Sequence, residues 1–258
     1  MISFISNNTK LIVASVLTAL VTAGCGGGGG DSTSTPASPS AEGAYSGTLS
    51  GGTSSGFRML ILENGDYWAL YGMESANQFL VEGFIQGQGV SSNSIFTSTN
   101  AKDFGVNPPA NGSITASYVA GSSIQGSATG GGQTVSFSGV SIPSTSFNYN
   151  TAASISNIAG SWVLTSLEGT SVSLTVASGG SFTGTAQGCS FTGTLMPRLS
   201  GKNIYNLTLT FGAAPCGLPN STGTGIALSY IVNGGARQLI IAGTDASRTE
   251  GTVLFGLR

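Results

Sequence analysis

Residues 57–72 read FRMLILENGDYWALYG, two apolar runs separated by Asn64-Gly65. Asn-Gly is the strongest short-range signal for a β-hairpin, because both residues tolerate the positive φ that a tight two-residue turn requires. The stretch therefore predicts two antiparallel strands, near 57–63 and 66–72. Neither run shows the 3.6-residue periodicity of an amphipathic helix.

The same pattern, a short strand followed by a Gly, Asn or Ser cluster, recurs from residue 42 to the end of the chain. The turn signals come about every 8–14 residues, which is typical of a β-sandwich or a barrel. In the first half we predict strands near 44–50, 57–63, 66–72, 78–87, 93–99, 112–119, 122–128 and 133–139. In the second half we predict strands near 160–167, 171–177, 180–186, 189–196, 203–212, 224–232, 236–243 and 251–257.

The fold class that follows is all-β, with two tandem antiparallel domains of about eight strands each, either barrels or sandwiches. We place the first domain at 42–142, a linker at 143–157 and the second domain at 158–258. A transmembrane barrel is the competing architecture. It would need strands of about 9–11 residues with an unbroken apolar face toward lipid, and most strands here are shorter and rich in Ser and Thr.

The two halves begin alike, with Gly43-Ala44-Tyr45 in one and Gly160-Ser161-Trp162 in the other. In each half the opening is followed by a hairpin with a glycine turn. A duplication explains this similarity, although a composition rich in Gly, Ser and Thr could also produce it.

The two halves differ in their alternation. In 171–177 the apolar Val172, Leu174 and Val176 alternate with Ser and Thr, which predicts a strand with one buried face.

Several first-half strands are apolar on both faces. There Trp68, Tyr71 and Phe84 form a candidate binding patch, off phase with Tyr67, Phe79 and Ile85. Two interpretations stay open: these strands pack against the other half, or the patch meets a partner.

The N-terminal residues 1–25 read MISFISNNTKLIVASVLTALVTAGC. The apolar run 11–23 has the length of a secretory signal core, and it is shorter than the roughly 20 residues of a membrane span. The run ends in Thr22-Ala23-Gly24-Cys25, which resembles the lipobox of bacterial lipoproteins, with Thr22 where Leu is usual. This resemblance implies a signal peptide at 1–24 and acylation of Cys25. The alternative is an ordinary signal peptide with an incidental Cys.

The stretch 25–41 continues with five glycines and then DSTSTPASPSA. It cannot bury apolar area or hold one backbone conformation, so we predict a flexible tether. Gly26 follows the Cys, and by resemblance to enterobacterial sorting this implies the outer membrane. Display on the periplasmic side or on the cell surface is left open.

Cys189 and Cys216 are the cysteines left once Cys25 carries lipid. An exported protein folds in an oxidising compartment, which favours a disulfide between them. Cys189 opens one predicted strand, and Cys216 lies just beyond the end of the strand that should pair with it. A bridge there would pin the open end of that hairpin.

The composition excludes several function classes. The chain has no His among its 258 residues, so the commonest general base and metal ligand is absent. Eight Lys and Arg residues and a net charge of −2 argue against a nucleic-acid partner. We predict no catalytic residue, no metal and no cofactor. An acid-only hydrolase using a carboxylate pair brought together by folding is the remaining enzymatic alternative. Near the last strand, Asp245, Arg248 and Glu250 predict an ion pair that stabilises a turn.

Four segments, 83–105, 188–198, 203–212 and 246–258, are similar to a group of exported proteobacterial lipoproteins. The resemblance implies the same tether and a two-part β-rich body, and it implies no activity. The halves also resemble, in architecture alone, the small barrels of transferrin-binding-type lipoproteins. We therefore expect a non-enzymatic binding module of the bacterial envelope, held at the membrane by its lipid. Its partner would be another envelope protein, a glycan or a small apolar ligand. The alternative is a structural or surface adhesion protein.

Overall fold

The structure is a computed structural model, and it describes residues 39–75 and 78–258. The predicted signal peptide at 1–24, the lipidated Cys25 and the tether as far as residue 38 lie outside the described residues. Within residues 39–258 the chain packs as one compact unit that contains both predicted domains.

The described chain is built almost entirely of strands. The first half forms β1 (Gly43–Ser50), β2 (Gly56–Ile61), β3 (Asp66–Ser75), β4 (Gln78–Gln88), β5 (Val90–Ser92), β6 (Ile95–Asp103), β7 (Ala110–Val119), β8 (Ser123–Gly130) and β9 (Gln133–Ser141). The second half forms β10 (Gly160–Ser166), β11 (Ser171–Val176), β12 (Ser181–Ala186), β13 (Cys189–Pro197), β14 (Tyr205–Phe211), β15 (Thr222–Ile231), β16 (Arg237–Thr244) and β17 (Gly251–Leu257). Two single-turn 3-10 helices lie at Ile155–Asn157 and Asn233–Gly235.

The prediction of an all-β fold with two eight-stranded antiparallel units is confirmed, and both units are barrels. In the second barrel β10 to β17 pair in chain order, and β17 returns to β10. In the first barrel the order is β4-β3-β2-β1-β9-β8-β7-β6, and β4 pairs with β6 to close it. The predicted hairpin at Asn64-Gly65 joins β2 to β3 as expected.

Strand β5 is absent from the prediction. Asn93 and Ser94 have φ of 50° and 60°, and they make the turn between β5 and β6. The predicted strand at 93–99 therefore begins two residues later, at Ile95. Strand β5 continues the edge of β4 and also pairs with β6.

Strand alternation places the core inside each barrel. In β11, Val172, Leu174 and Val176 are buried, while Ser171, Ser173 and Thr175 are exposed, as the sequence predicted. Because successive side chains of a strand point to opposite faces, the apolar set fills the interior and the hydroxyls cover the outside.

In each barrel one end is closed by the segment that precedes the first strand. In the first barrel the Tyr45 hydroxyl donates to the Ala41 carbonyl at 3.0 Å, and the Tyr118 hydroxyl donates to Pro39 at 2.6 Å. Ala41 is fully buried there. Pro39 and Ala41 therefore close this end of the first barrel.

The second barrel is closed in the same way by residues 154–158, where the predicted linker meets the predicted second domain. The Trp162 indole donates to the Ile158 carbonyl at 2.7 Å, and the Tyr205 hydroxyl donates to Ser154 at 2.6 Å. The rest of the 143–157 segment is packed as well, with Phe147 and Tyr149 buried. The predicted linker is therefore packed as part of the folded unit that contains both barrels.

The barrels share one apolar cluster, which we call the joining cluster. It combines first-barrel residues such as Trp68, Phe84 and Phe104 with second-barrel residues such as Ile240 and Phe255. The two barrels consequently bury their facing walls against each other.

A polar contact crosses the joining cluster. Gln238 is fully buried, and its side-chain amide makes two hydrogen bonds to the backbone of Phe79, one to N at 3.1 Å and one to O at 2.9 Å. The Tyr230 hydroxyl also donates to Gln238 Oε1 at 2.6 Å. The guanidinium of Arg58 lies over the rings of Phe79 and Tyr230 and pairs with Glu74. Both polar atoms of the Gln238 amide thus have partners, and its bonds to Phe79 help to fix how the two walls meet.

Candidate functional sites

The three residues of the predicted patch do not come together. Trp68 is 6% exposed and Phe84 is fully buried, and their rings stack at 5.7 Å between centroids within the joining cluster. For these two residues the structure agrees with packing against the other half. Tyr71 instead faces the interior of the first barrel, where it lines a cavity.

Strand geometry explains this separation. Trp68 and Tyr71 are three positions apart on β3, so they point to opposite faces of a regular strand. Leu70 shares the joining cluster with Trp68, while Tyr67 and Ala69 belong to the interior of the first barrel. The expectation that Trp68 and Tyr71 share a face is therefore corrected.

Each barrel has a cavity in its interior, and the cavity of the second barrel is the larger of these two. It lies at the open end of that barrel, opposite the end closed by the linker. Its volume is about 340 Å³, and every strand of the barrel contributes to its wall. The wall is mainly apolar, with Phe182, Phe191, Leu207, Leu209, Phe211 and Ile241 among its residues. The interior of an eight-stranded barrel is just wide enough for side chains to fill it or for one small ligand to bind in it.

A disulfide holds the mouth of this cavity. Cys189 and Cys216 are bridged, which confirms the predicted pairing. Cys189 begins β13, and Cys216 lies in the loop of residues 212–221 that joins β14 to β15. Gly217 and Leu218, which follow Cys216 directly, line the cavity. The bridge therefore fixes this loop against the rim.

Three carboxylates, Glu168, Asp245 and Glu250, also lie at this mouth. Asp245 accepts hydrogen bonds from the hydroxyls of Ser247 and Thr249 and from the backbone N–H of Glu250. Burial alone would raise the pKa of Asp245, but these hydrogen bonds outweigh it and lower the pKa to about 2. The side chain thus stabilises its own turn in the ionised form.

The predicted ion pair of Arg248 with Asp245 or Glu250 does not form among the described residues. Arg248 leaves the turn and donates to two carbonyls of the first barrel, Gln86 at 2.6 Å and Asn100 at 2.8 Å. It therefore ties the mouth of the second barrel to the wall of the first.

A second cavity, of about 200 Å³, lies at the open end of the first barrel. Its wall includes Leu49, Phe57, Met59, Ile85, Ile114 and Phe137, together with the small residues Ala69, Ala101 and Ala128. Residues 39–41 lie at the other, closed end of this barrel.

The polar group of this cavity is a tyrosine–carboxylate pair. The Tyr71 hydroxyl donates to Asp103 Oδ1 at 2.7 Å, and the backbone N–H of Gly105 donates to the same oxygen at 2.8 Å. Burial, followed by the charge of Asp103, raises the pKa of Tyr71. A Cβ atom at Gly105 would lie 1.7 Å from the Tyr71 hydroxyl, so only glycine allows this close packing. Nearby, Ser54 donates to Glu82 at 2.6 Å.

Neither cavity wall contains Lys or Arg among its described residues. The cations pair elsewhere, for example Arg198 with Glu63 and Lys202 with Glu42, both across the two barrels. Both cavities therefore offer apolar surface with acidic groups at the mouth, a poor environment for an anion.

Within residues 39–75 and 78–258, no helix is long and apolar enough to cross a membrane. In the same part of the chain, His, Cys, Asp and Glu nowhere form a group of three that could hold a metal ion.

No protein-family model matches the chain, and no curated protein matches it. Among solved structures, the chain is similar to a protein of unknown function from the DUF3598 family of Nostoc punctiforme, with 12% identity and a TM-score of 0.25. The similarity covers 83% of this chain and 94% of that chain. At this TM-score the likeness carries no argument. The resemblance to exported lipoproteins implied a two-part β-rich body, and the structure shows that feature.

Proposed function

We propose that this chain is a lipoprotein anchored to the outer membrane through Cys25, and that it is a non-enzymatic binding module whose second-barrel cavity holds a small apolar ligand. The observation that carries the proposal is the open, apolar cavity of about 340 Å³ at the free end of that barrel. Ligand sites in proteins are concave and mostly apolar, and they commonly span about 300–1,000 Å³.

The surface of the second barrel supports this assignment. On β12 and β13 most outward residues are hydroxyl-bearing, including Thr183 and Thr192, with Met196 as the exception, while Phe182 and Phe191 face the interior. A barrel embedded in lipid has the reverse arrangement, with apolar residues outside. The apolar surface that a ligand would meet is therefore inside the barrel.

The disulfide also supports a ligand site in the second-barrel cavity. An empty apolar cavity loses the contacts that would otherwise hold its walls, so its mouth needs another source of rigidity. The Cys189–Cys216 bridge supplies that rigidity at the loop which carries Leu218 into the cavity. A preorganised mouth also lowers the entropy cost of binding.

Binding is tested with N-phenyl-1-naphthylamine, an uncharged apolar fluorophore whose emission rises when it leaves water. We expect saturable binding that Leu209→Trp abolishes, because Leu209 lines the second-barrel cavity. The matched control is Val163→Trp, which adds the same side chain at a position that is 68% exposed on β10. Equal loss in both variants, or no saturable binding, would refute the ligand assignment.

The anchor is tested separately by growing cells with labelled palmitate. We expect incorporation into the full chain and none into Cys25→Ser, which should also leave the membrane fraction. Labelling that survives Cys25→Ser would contradict the anchor while leaving the cavity assignment untouched.

A further inference from the structure

We infer that the first barrel carries a second, separate ligand site, built for a small uncharged ring compound with a hydroxyl group, such as a phenol. The inference goes beyond the proposed function, because it concerns the other barrel and a different class of ligand. It rests on the size of the first-barrel cavity, on how the wall creates that space, and on the Tyr71–Asp103 pair in the wall.

The size of the cavity limits the ligand. The cavity measures about 200 Å³. An engineered protein cavity of about 150 Å³ lined by Leu, Ile and Phe stays dry and binds benzene. The first-barrel cavity therefore suits one ring with a small substituent.

The space results from small side chains at inward positions of the wall. In the sheet, Ala69 lies directly between Met59 on β2 and Ile85 on β4. Ala101 and Ala128 face the same interior from β6 and β8. Larger residues at these positions would fill the barrel, as Phe96 and Ile124, which are fully buried, fill its closed end.

The accessibility of the wall agrees with a real opening. Leu49, Ala69, Ile85 and Ala128 point inward and pack against the core, yet each remains only partly buried. Interior side chains of a filled barrel lose their accessibility, so these four face open space.

The polar pair sets the chemistry of the ligand. Asp103 Oδ1 already accepts from Tyr71 and Gly105, and a carboxylate has further lone pairs with which to accept. A hydroxyl on the ring would donate to this carboxylate in a charge-assisted hydrogen bond. With no Lys or Arg in the described wall, a carboxylate ligand would face Asp103 without a counterion.

The experiment compares three probes that share one ring: p-cresol, toluene and p-toluate. They are titrated at pH 7 and followed by NMR shifts of the full chain. We expect p-cresol to bind about tenfold more tightly than toluene, because its hydroxyl meets a charged acceptor. We expect p-toluate to bind at least about tenfold more weakly than p-cresol, because of repulsion by Asp103. Binding of p-toluate as tight as that of p-cresol would overturn the assignment of ligand class.

Two variants locate the site. Ala128→Leu fills the cavity and should abolish p-cresol binding with no loss of melting temperature, whereas Val119→Leu adds the same side chain outside, at a position that is 61% exposed. The second-barrel variant Leu209→Trp should leave p-cresol binding unchanged. If Leu209→Trp removes p-cresol binding, or if Ala128→Leu raises stability and leaves binding intact, the first-barrel site is refuted. Neither result bears on binding of the naphthylamine probe in the second barrel.

Asp103→Asn tests the role of the carboxylate. The variant keeps an oxygen acceptor for Tyr71 and removes the negative charge. We expect the preference for p-cresol over p-toluate to shrink to within about threefold. The matched control Asp66→Asn removes a charge at the first residue of β3, outside the cavity wall, and should leave the preference unchanged. An unchanged preference in Asp103→Asn would contradict the assigned role.

Discussion

In the first barrel Tyr45 donates to the carbonyl of Ala41, and in the second Trp162 donates to that of Ile158, in both cases four residues earlier. Each aromatic residue stands two positions after a glycine with positive φ, Gly43 at 152° and Gly160 at 109°. The two closed ends are thus built by the same local device, as a duplicated unit would be.

The open ends differ. The mouth of the second barrel is held by a covalent bridge to the loop carrying Cys216, and its cavity is lined by large apolar side chains. The mouth of the first barrel is held by hydrogen bonds from Tyr71 and Ser54 to carboxylates, and its cavity results from alanines. Two barrels with similar closed ends therefore offer cavities of different size and rigidity.

The barrels are also closed at different places. The first closes between β4 and β6, in the middle of its chain order, with the pairs Ile85↔Asp103 and Gln86↔Lys102. The second closes between its first and last strands, with Thr165↔Phe255 and Ser166↔Leu254. Residues beside both closures, including Phe84 and Phe255, belong to the joining cluster. Contact with the other barrel therefore supports the closing strand pair of each barrel, which has two residue pairs.

The largest effect is expected from breaking that support. Phe84→Ala removes a fully buried ring from the joining cluster and should lower the free energy of unfolding by about 3–5 kcal/mol. Because the cluster belongs to both barrels, urea unfolding should remain one transition whether followed by Trp68 or Trp162 fluorescence. A shift of the Trp68 signal alone would show that the barrels unfold independently. The control Val119→Ala, at an exposed position, should change stability by less than about 0.5 kcal/mol.

The next effect concerns the second barrel alone. Replacing Cys189 and Cys216 together with Ser opens a loop with a sequence separation of 27. In the loop-entropy description this costs about 3–4 kcal/mol of stability. It should also weaken naphthylamine binding in the second barrel and leave p-cresol binding in the first unchanged. Equal weakening of both ligands would mean that the bridge acts on the whole body.

The sequence predicted the strands well, because turn residues such as Asn64-Gly65 and the alternation in 171–177 are local signals. It predicted the disulfide from the two cysteines left over in a chain expected to be exported, and the predicted strand pairing placed the bridge at one end of a hairpin. It did not separate Trp68 from Tyr71, although their spacing of three positions contains the information.

The cavities were not predicted, because their volume depends on how eight strands close into a barrel. The available signal was alanine at inward positions, namely Ala69, Ala101 and Ala128, among larger apolar neighbours. The hydrogen-bond partners of Arg248 could not be predicted either, since its acceptors are backbone carbonyls on the other barrel. Contacts between distant segments have no local signature in the sequence.

A smaller effect tests how closely the barrels approach. A Cβ atom at Gly251 would lie 2.5 Å from Phe104 Cδ1 of the other barrel. Gly251→Ala should therefore cost about 1–3 kcal/mol in thermal or urea unfolding, through overpacking. Gly179→Ala is the matched control, because a Cβ there meets nothing within 4 Å. Equal stabilities of the two variants would show that the interface yields by moving.

The smallest effect concerns the turn at the second mouth. The pKa of Asp245 is lowered to about 2, so its ionised form stabilises the folded state at pH values above the ordinary Asp pKa. That contribution is lost as the pH falls from about 4 through 2, since the proton then binds in the folded state as well. Asp245→Asn should therefore lower the melting temperature at pH 7 by a few degrees, and the difference from the parent chain should shrink toward pH 2. If the Asp245→Asn difference stays constant with pH, the turn is held by the shape of the side chain rather than by its charge.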